Sequence, residues 1–312
     1  MTFVRSLGAA ALAILALAAP GLGQGAGTWT RAAPLLSSRT EVAGAELGGR
    51  LYVIGGFGQG GDQVEVYDPR ADQWERRAPL PVSLHHAAAV TVGGRLYVVG
   101  GYAGGPWAIL DSVFEYDPGT DRWRARASLP TARGALAAAV IEGRIYAAGG
   151  VGAGRRNTDA LEVYDPVADR WETRAPMPVP RDHHAAAAVL GKLHVVGGRL
   201  DGSYARNVDA HHVYDPATNS WAPRPPLPTP RSGIAAAVLG PRLFVFGGEA
   251  PTGTFGQVEV YDAVEGRWSA LTPMPTPRHG LAAMALGGRI HVVSGGPQPG
   301  GSYSAAHEVL SP

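Results

Sequence analysis

The chain contains no cysteine and a single lysine, Lys192, so almost all of its positive charge is arginine. The lack of cysteine excludes disulfide bonds and a lipid anchor on an N-terminal cysteine. Charged residues make up only 17% of the 312 residues, and the formal net charge is +1. A chain of this kind has no basic face for a phosphate backbone, so we expect no nucleic acid among its partners.

An apolar run long enough to span a membrane is also lacking. The apolar stretch near the N-terminus, Leu7–Ala19, has 13 residues, whereas a membrane span needs about 20. Arg5 precedes this stretch and Pro20-Gly21 ends it. A short positive start followed by an apolar segment of this length is typical of a secretory signal peptide. We therefore expect residues 1–26 to be a signal peptide and the protein to be secreted or periplasmic, without a membrane anchor.

What the chain has is a repeat. A glycine doublet ends an apolar run five times, and a Ser-Gly pair replaces it in a sixth copy: Gly55-Gly56, Gly100-Gly101, Gly149-Gly150, Gly197-Gly198, Gly247-Gly248 and Ser294-Gly295. A Tyr-Asp pair and then a tryptophan follow each of the first five doublets, the tryptophans being Trp74, Trp123, Trp171, Trp221 and Trp268. A repeat of roughly 50 residues without helical periodicity predicts a ring of small sheets, a β-propeller.

The two ends of the chain predict how the ring closes. The sixth copy ends at Glu308–Pro312 without a tryptophan segment, and a segment of that kind, Trp29–Pro34, stands near the N-terminus. We therefore expect an N-terminal strand to complete the last blade and to close a ring of six. Closure of this kind hides sheet edges that would otherwise invite aggregation.

The order of these residues resembles the kelch repeat. The order of the pattern is an arginine, a strand of small residues, a segment such as Gly-Arg-Leu-Tyr-Val-Val-Gly-Gly at 94–101, Tyr-Asp-Pro, a tryptophan and a proline-rich exit. The last copy departs from the pattern at Ser294 and Leu310. The resemblance covers nearly everything after residue 27 and implies an all-β, six-bladed kelch β-propeller over residues 27–312. We expect it to be a monomer.

One position in each repeat lies sixteen residues before the doublet, and we call these six the clamp positions: Arg39, Leu84, Arg133, Arg181, Arg231 and Arg278. An arginine at a fixed place in five of six repeats indicates a structural role, because a planar guanidinium can bind several backbone carbonyls. Residues that differ between repeats are expected to carry function instead, and to tolerate replacement.

Alternating strand directions place the entry to each blade and the loop after each doublet on one face. Two positions per blade vary there, the residue after the clamp position and the residue after the doublet. Two longer loops nearby contain Trp107 and Tyr204. We expect this face to bind a ligand through Thr40, Phe57, His85, Tyr102, Trp107, Asp182, Arg199, Tyr204, Ser232, Glu249 and His279.

Some of these side chains are of types that bind metal ions. His85, Asp182, Glu249 and His279 are ligand types that suit several divalent ions. They come from four different blades, and their spacing does not indicate that they converge. Adjacent strand residues point to opposite sides, so only one histidine of the His85-His86 pair would face the channel. We therefore assign no metal site and expect no cofactor.

Two functions fit these features. The first is a module that binds an unidentified protein, peptide or carbohydrate on the variable face, without catalysis. The second follows from the resemblance to periplasmic six-bladed kelch proteins that are sialic-acid mutarotases. Opening a sugar ring needs a general acid and a general base, and Glu249 with Arg199 or a histidine would serve.

Pocket shape distinguishes these two functions. A mutarotase predicts a closed, charged pocket in which an acid contacts an arginine, whereas a binding module predicts a broader face rimmed by aromatic residues. A third chemistry of related propellers, that of copper radical oxidases, needs a cysteine crosslinked to a tyrosine. The absence of cysteine excludes it.

Overall fold

The structure is a computed structural model that describes residues 1, 24–25, 27–104 and 107–312. Most of the expected signal peptide therefore lies outside the described residues. Within the described part of the chain the architecture is all-β, with one 3₁₀ turn at Ala153–Arg155 and no α-helix. No helix in that part is long and apolar enough to cross a membrane.

Six four-stranded antiparallel sheets form the six blades. From the axis outward, blade 1 contains Ala43–Leu47, Arg50–Ile54, Val64–Asp68 and Gln73–Arg77; blade 2 contains Ala88–Val92, Arg95–Val99, Val113–Asp117 and Arg122–Ala125; blade 3 contains Ala137–Ile141, Arg144–Ala148, Leu161–Asp165 and Arg170–Thr173. Blade 4 contains Ala185–Val189, Lys192–Val196, His211–Asp215 and Ser220–Pro223; blade 5 contains Ala235–Leu239, Arg242–Phe246, Val258–Asp262 and Arg267–Leu271; blade 6 contains Ala282–Leu286, Arg289–Val293, His307–Ser311 and Thr28–Arg31.

Short strands extend this framework at one face and one edge. Four two-stranded ribbons pair Arg39–Thr40 with Phe57–Gly58, Tyr102–Ala103 with Ala108–Ile109, Arg199–Leu200 with Ser203–Asn207, and Glu249–Ala250 with Gly253–Thr254. Gln24–Gly25 pairs in parallel with the outermost strand of blade 5. Each ribbon starts right after a doublet or pairs with a strand that does, so the ribbons gather at the face expected to carry function.

The hydrophobic core lies between blades. The innermost strands are rich in alanine and contact their neighbours all the way around the axis, where only small side chains fit. Farther out, an aromatic ring three residues before a doublet packs on the tyrosine of the next blade. Tyr52 lies 5.8 Å from Tyr116, and Tyr97 lies 6.0 Å from Tyr164, between ring centroids.

The glycine doublets join each blade to the next. The second glycine donates its N–H to the carbonyl of the next clamp residue, as Gly101 does to Arg133 over 2.9 Å. Both glycines of the doublet have positive φ. A Cβ on Gly100 would lie 2.4 Å from the same carbonyl oxygen. The doublet is therefore required by this close approach as well as by its backbone conformation.

The clamp arginines are structural, as their repetition predicts, and all five are fully buried. Arg278 donates to the carbonyls of Val292, Ser294 and Thr276 and forms an ion pair with Glu308 in its own blade. Because the backbone of each clamp residue accepts from the preceding blade, the residue connects two blades.

Two blades change the clamp and its partner together. In blade 2, Leu84 replaces the arginine and packs in one cluster with Phe114, which replaces the acid. In blade 4, Arg181 faces His212 instead of a carboxylate. Burial without an acid lowers the pKa of Arg181 to about 10. An apolar pair can replace a buried ion pair without loss.

The N-terminal strand is the outermost strand of blade 6. Thr28–Arg31 runs antiparallel to His307–Ser311, with Trp29 opposite Leu310 and Arg31 opposite Glu308. Ala33, just beyond this strand, donates its N–H to Asp72 of blade 1 over 2.9 Å and accepts from the Trp74 indole over 2.8 Å. The strand and these two hydrogen bonds together join the two ends of the described propeller.

We call Trp74 and Asp72, two positions before it, the outer clip of blade 1. The clip recurs in blade 2, where Trp123 and Asp121 both bind Ala78, and in blades 3 and 4 on Ala127 and Ala175. Blade 5 changes both halves: Trp268 binds Pro225, which has no N–H to donate, and Gly266 replaces the acceptor.

Candidate functional site

One residue in each blade, two positions after the clamp position, has a left-handed backbone. We call these six the axial ring: Glu41, His86, Ala135, His183, Gly233 and Gly280, with φ between 52° and 68°. Five of them donate an N–H to the equivalent carbonyl of the preceding blade, as Ala135 does to His86 over 2.8 Å. At the sixth link the donor is Val42, which reaches Gly280 over 3.4 Å.

The side chains of the axial ring divide into two groups. Glycine adopts this backbone without cost, whereas a residue with a Cβ loses about 1–2 kcal/mol. Glu41, His86, Ala135 and His183 therefore occupy the ring against a conformational penalty, and three of these four residues have ionisable side chains. Residues with a strained backbone of this kind gather at functional sites. The three ionisable side chains lie at the propeller axis, where all six blades meet.

A cavity of about 690 Å³ opens over the axial ring on the face that carries the ribbons. It is lined by Glu41, Phe57, Gly58, His86, Trp107, Arg199, Gly202, Tyr204, Glu249, His279, Gly300, Gly301 and Tyr303. A second, narrower cavity of about 90 Å³ shares Glu41 and His86 with it and also contacts His183. The two cavities together form a mouth and a throat on the propeller axis.

Arg199 is the centre of a buried charge network in the cavity wall. Its Nε donates to Asp182 over 3.0 Å, its Nη1 donates to Glu249 over 2.8 Å, and its Nη2 lies 2.9 Å from Nε2 of His183. Burial alone would raise the pKa of both acids. Hydrogen bonding and charge from His183 and Arg199 outweigh burial at Asp182, so its pKa lies below its usual value.

Glu249 connects this network to a second cluster of acids and histidine. Its Oε2 accepts from the Gly300 N–H over 2.9 Å and lies 3.7 Å from Nε2 of His279. The same Nε2 lies 3.7 Å from Oε1 of Glu41. Burial would raise the pKa of Glu249, but His279, the Gly300 N–H and Arg199 lower it below its usual value.

Aromatic rings form another part of the cavity wall. Phe57 stacks on His85 at a centroid distance of 3.7 Å, and Trp107 lies 5.1 Å from Phe57. Burial, with a smaller contribution from His183, lowers the pKa of His85 to about 4. Burial also lowers the pKa of His86 well below its usual value, so both histidines of this pair are neutral at pH 7.

The structure brings six of the residues expected on the binding face to one cavity: Phe57, Trp107, Arg199, Tyr204, Glu249 and His279. The other five are buried and do not line it: Thr40, His85, Tyr102, Asp182 and Ser232. Four of the five, all except Tyr102, follow a clamp position, and each of these pairs with a residue that follows a doublet, as Asp182 does with Arg199. Asp182 and His85 contact the cavity residues Arg199 and Phe57 without lining the cavity themselves.

Sequence reasoning missed Glu41, His86, His183 and Tyr303. The alternation of an extended strand predicts His85 at the channel. The left-handed backbone of His86 instead directs the His86 side chain to the axis. The signal was present in the sequence: Gly233 and Gly280 occupy the same slot, and glycine favours this backbone.

The set of metal ligands weighed from the sequence does not assemble either. Two other groups place a ligand atom from each member within 4.8 Å of the others in the described part of the chain, one of Glu41, His86 and His183 and one of Glu41, Glu249 and His279. Both contain Glu41, which the sequence did not single out.

Comparison with known proteins identifies the class. The chain matches the KLHDC2/KLHL20/DRC7 Kelch-repeats domain over residues 41–227 and 172–309, and it therefore belongs to this family of kelch repeats. Kelch-like protein 35 of Mus musculus is 47% identical over 49 residues, which are 15% of this chain and 8% of the mouse protein. The match thus spans less than a tenth of that relative.

A solved structure supports the fold. The structure of YjhT superposes with a TM-score of 0.77 and 18% sequence identity, covering 88% of this chain and 95% of YjhT. At this identity the likeness establishes a shared propeller fold. The function must be argued from the residues of the cavity.

Proposed function

We propose that this propeller is exported and binds a single sugar ring of neutral charge in the axial cavity. The observation that carries the proposal is that aromatic rings and buried charged groups line the same cavity of about 690 Å³. Ligand pockets typically measure about 300–1,000 Å³ and combine apolar walls with a few convergent polar groups. The sequence interpretation of a binding module is kept, and its ligand is narrowed to a carbohydrate.

A sugar ring matches both kinds of wall. Its C–H face is apolar and packs on the flat rings of residues such as Phe57 and Trp107. Its hydroxyl groups both donate and accept, and Arg199, Glu249 and Glu41 offer charged partners that make the stronger hydrogen bonds. A peptide segment of the same size has few hydrogen-bond donors, so it would leave most of the carboxylate acceptors of the cavity without a partner.

The charges of the cavity favour a neutral sugar over an acidic one. Every nitrogen of the Arg199 guanidinium already has a partner, and two of these partners are carboxylates. Glu41 adds a third carboxylate nearby. An acidic sugar would have to approach these carboxylates without a free cation to pair with, and like charges brought together cost several kcal/mol.

Calorimetry and saturation-transfer NMR with a panel of neutral aldoses, sialic acid and short peptides test the ligand. We expect a neutral aldose to bind and Trp107→Ala to weaken it at least tenfold, because an aromatic platform is worth about 1–3 kcal/mol in comparable stacking. Val167→Ala, at a fully exposed turn of blade 3, is the matched control. Binding of sialic acid or a peptide in preference to every neutral sugar would contradict the proposal.

The second candidate function is interconversion of sugar anomers. It is favoured by the contact of Glu249 with Arg199 at 2.8 Å and by His279 nearby, an acid–arginine pair of the kind that such chemistry needs. The lowered pKa of Glu249 suits a carboxylate that accepts a proton rather than one that donates it. Exchange NMR of bound aldoses, with Glu249→Gln as the variant, separates catalysis from binding: acceleration lost in the variant supports catalysis, and binding without acceleration excludes it.

Export needs its own test, because it depends on residues 1–26. Fusing these residues to an alkaline phosphatase without a leader should deliver active enzyme to the periplasm. Ile14→Arg, which places a charge inside the apolar segment, should abolish delivery. Equal activity of the two fusions, or none from either, would contradict export by this segment.

A further inference from the structure

Three acceptor atoms converge where the mouth of the cavity meets the axial ring. Nε2 of His279 lies 3.7 Å from Oε1 of Glu41 and 3.7 Å from Oε2 of Glu249. All three ligand atoms lie within 4.8 Å of one another. No hydrogen bond of the described residues reaches this Nε2, although the His279 residue is only 1% exposed.

The other ring nitrogen of His279 fixes which tautomer is present. Nδ1 lies 3.1 Å from the carbonyl oxygen of Gly296. A carbonyl can only accept, so Nδ1 carries the hydrogen of this bond. In the neutral ring Nε2 then carries no hydrogen, and its lone pair faces two carboxylate oxygens. Three acceptors brought together in this way repel one another unless a cation stands between them.

We propose that Glu41, Glu249 and His279 bind a divalent transition-metal ion such as Zn²⁺. Imidazole and carboxylate together suit Zn²⁺ and its neighbours in the first transition row better than Ca²⁺ or Mg²⁺. Ligands at about 2.1 Å in a tetrahedral site lie about 3.4 Å apart. The two separations from Nε2 of His279 are 3.7 Å, and the Glu41 and Glu249 oxygens lie within 4.8 Å of each other, so the three groups need to draw closer by a small side-chain adjustment.

The surroundings of the three ligands hold them in place. A metal-binding histidine usually donates its second N–H to a carbonyl or carboxylate, and His279 does so to Gly296. Arg199 holds Oε1 of Glu249, which leaves Oε2 directed toward His279. Glu41 keeps its place on a left-handed backbone in the slot where Gly233 and Gly280 stand in other blades. A repeated structural role does not explain that cost, whereas a ligand position does.

All three ligands line the large cavity, so the fourth position of such an ion would face the space proposed for the sugar. A tetrahedral site with three protein ligands and one open position is the usual arrangement of catalytic zinc. The proposal rests on donor geometry alone and does not depend on sugar binding; the preference for a neutral sugar argued above applies to the metal-free cavity, because a bound ion would add positive charge there. It is therefore tested without any sugar.

The test is equilibrium dialysis of tag-free protein against Zn²⁺, with bound metal measured by plasma mass spectrometry. We expect one equivalent of Zn²⁺ per chain, and at least a tenfold loss of affinity in Glu41→Gln and His279→Gln. Glu46→Gln is the matched control, because Glu46 lines a different cavity at the other end of the innermost strands. Zinc binding no higher than background, or binding by Glu41→Gln equal to wild type, would overturn the site.

A second measurement uses the wild-type protein only and decides the case in which a variant does not fold. Co²⁺ in a four-coordinate site gives intense visible absorption, which six-coordinate Co²⁺ does not. We expect this absorption in the wild type and its loss on addition of Zn²⁺. Its absence would instead assign the convergence of the three groups to a protonated His279 held between two carboxylates.

Discussion

Both the outer clip and the axial ring contain a residue with a left-handed backbone, in five blades at the clip and in all six at the ring. The residue types found at the two positions differ. At the clip the residue is Asp72, Asp121, Asp169, Asn219 or Gly266. At the ring it is glycine or alanine in three blades and Glu41, His86 or His183 in the others. One slot is nearly uniform around the propeller, and the other is not.

The difference teaches how to separate structure from function in a repeat protein. At the clip, the side chain compensates for its strained backbone: Asp121 accepts from Tyr116 over 2.7 Å and from the Ala78 N–H over 3.0 Å. The contacts of the ionisable side chains in the axial ring differ between blades: Nε2 of His86 lies 3.4 Å from Glu41, whereas Nε2 of His183 lies 2.9 Å from Arg199. Their strain is therefore not offset by a shared structural role, and the predictions that follow test this contrast.

The largest effect is expected from removing the N-terminal strand. A protein that starts at Leu35 loses both the outermost strand of blade 6 and Ala33, the residue that the clip of blade 1 holds. We expect its Tm to fall by more than about 10 °C relative to a protein that starts at Gly27. A synthetic peptide of residues 27–34 should restore part of the loss. Melting within a few degrees of the longer protein would show that the strand is dispensable.

Arg199→Ala is expected to destabilise the protein by about 3–5 kcal/mol, because it leaves Asp182 and Glu249 buried without their cation. The sequence predicts that variable residues tolerate replacement, whereas the burial of Arg199 predicts the opposite for this position. The matched control is Arg206→Ala in the same ribbon, where the ion pair with Asp201 is exposed and contributes little. Urea unfolding measures both, and equal stability of the two variants would contradict the network.

Acid should weaken two of the six blade interfaces. In blade 4, Nδ1 of His194 lies 3.0 Å from Nε2 of His211, and in blade 6, Nδ1 of His291 lies 2.8 Å from Nε2 of His307. Burial lowers the pKa of these four rings to about 4, 3, 4 and 4. The unfolded chain takes up protons first, near pH 6.5, so stability is complete above that pH and falls toward pH 4 by a few kcal/mol.

A double variant makes the acid effect specific. His194→Tyr with His211→Leu gives blade 4 the pair that blade 3 already has, Tyr146 and Leu161. We expect the variant to lose less stability than the wild type between pH 7 and pH 4.5 in urea unfolding. The wild type is the reference, and an unchanged pH dependence would assign the acid sensitivity to other groups.

The smallest effect compares glycine at the two left-handed slots. Asp121→Gly should cost about 1–2 kcal/mol, because two hydrogen bonds are lost. His86→Gly should change stability by less than about 1 kcal/mol, since the released backbone strain offsets part of the lost contacts. Thermal melts measure both variants. A larger loss at His86 than at Asp121 would show that the axial ring is structural after all.

The fold was predictable because its determinants are local and repeated. Gly100-Gly101, Tyr116 and Trp123 each mark a turn or an interblade contact that depends on nearby backbone geometry. Six copies make such a pattern unmistakable even though blade 2 replaces its clamp arginine with Leu84.

The cavity was predictable only in part. Variable loops gave Arg199, Glu249 and Trp107, but the direction of a side chain depends on φ, which the sequence records only indirectly. His86 and His183 were missed because an extended strand was assumed where the backbone is left-handed. Tyr303 was missed because the last repeat departs from the pattern that located the other loops.

The pairing of Thr28–Arg31 with His307–Ser311 also sets an order of events during synthesis. The outermost strand of blade 6 is made before the strands of blades 1 to 5, whereas its partner, His307–Ser311, is made after them. Blades 1 to 5 can form as units while the chain grows, but the ring stays open until His307–Ser311 has been made. A circular permutant that joins residue 312 to residue 27 and opens between two other blades would remove this delay and would carry its new termini at a different interface.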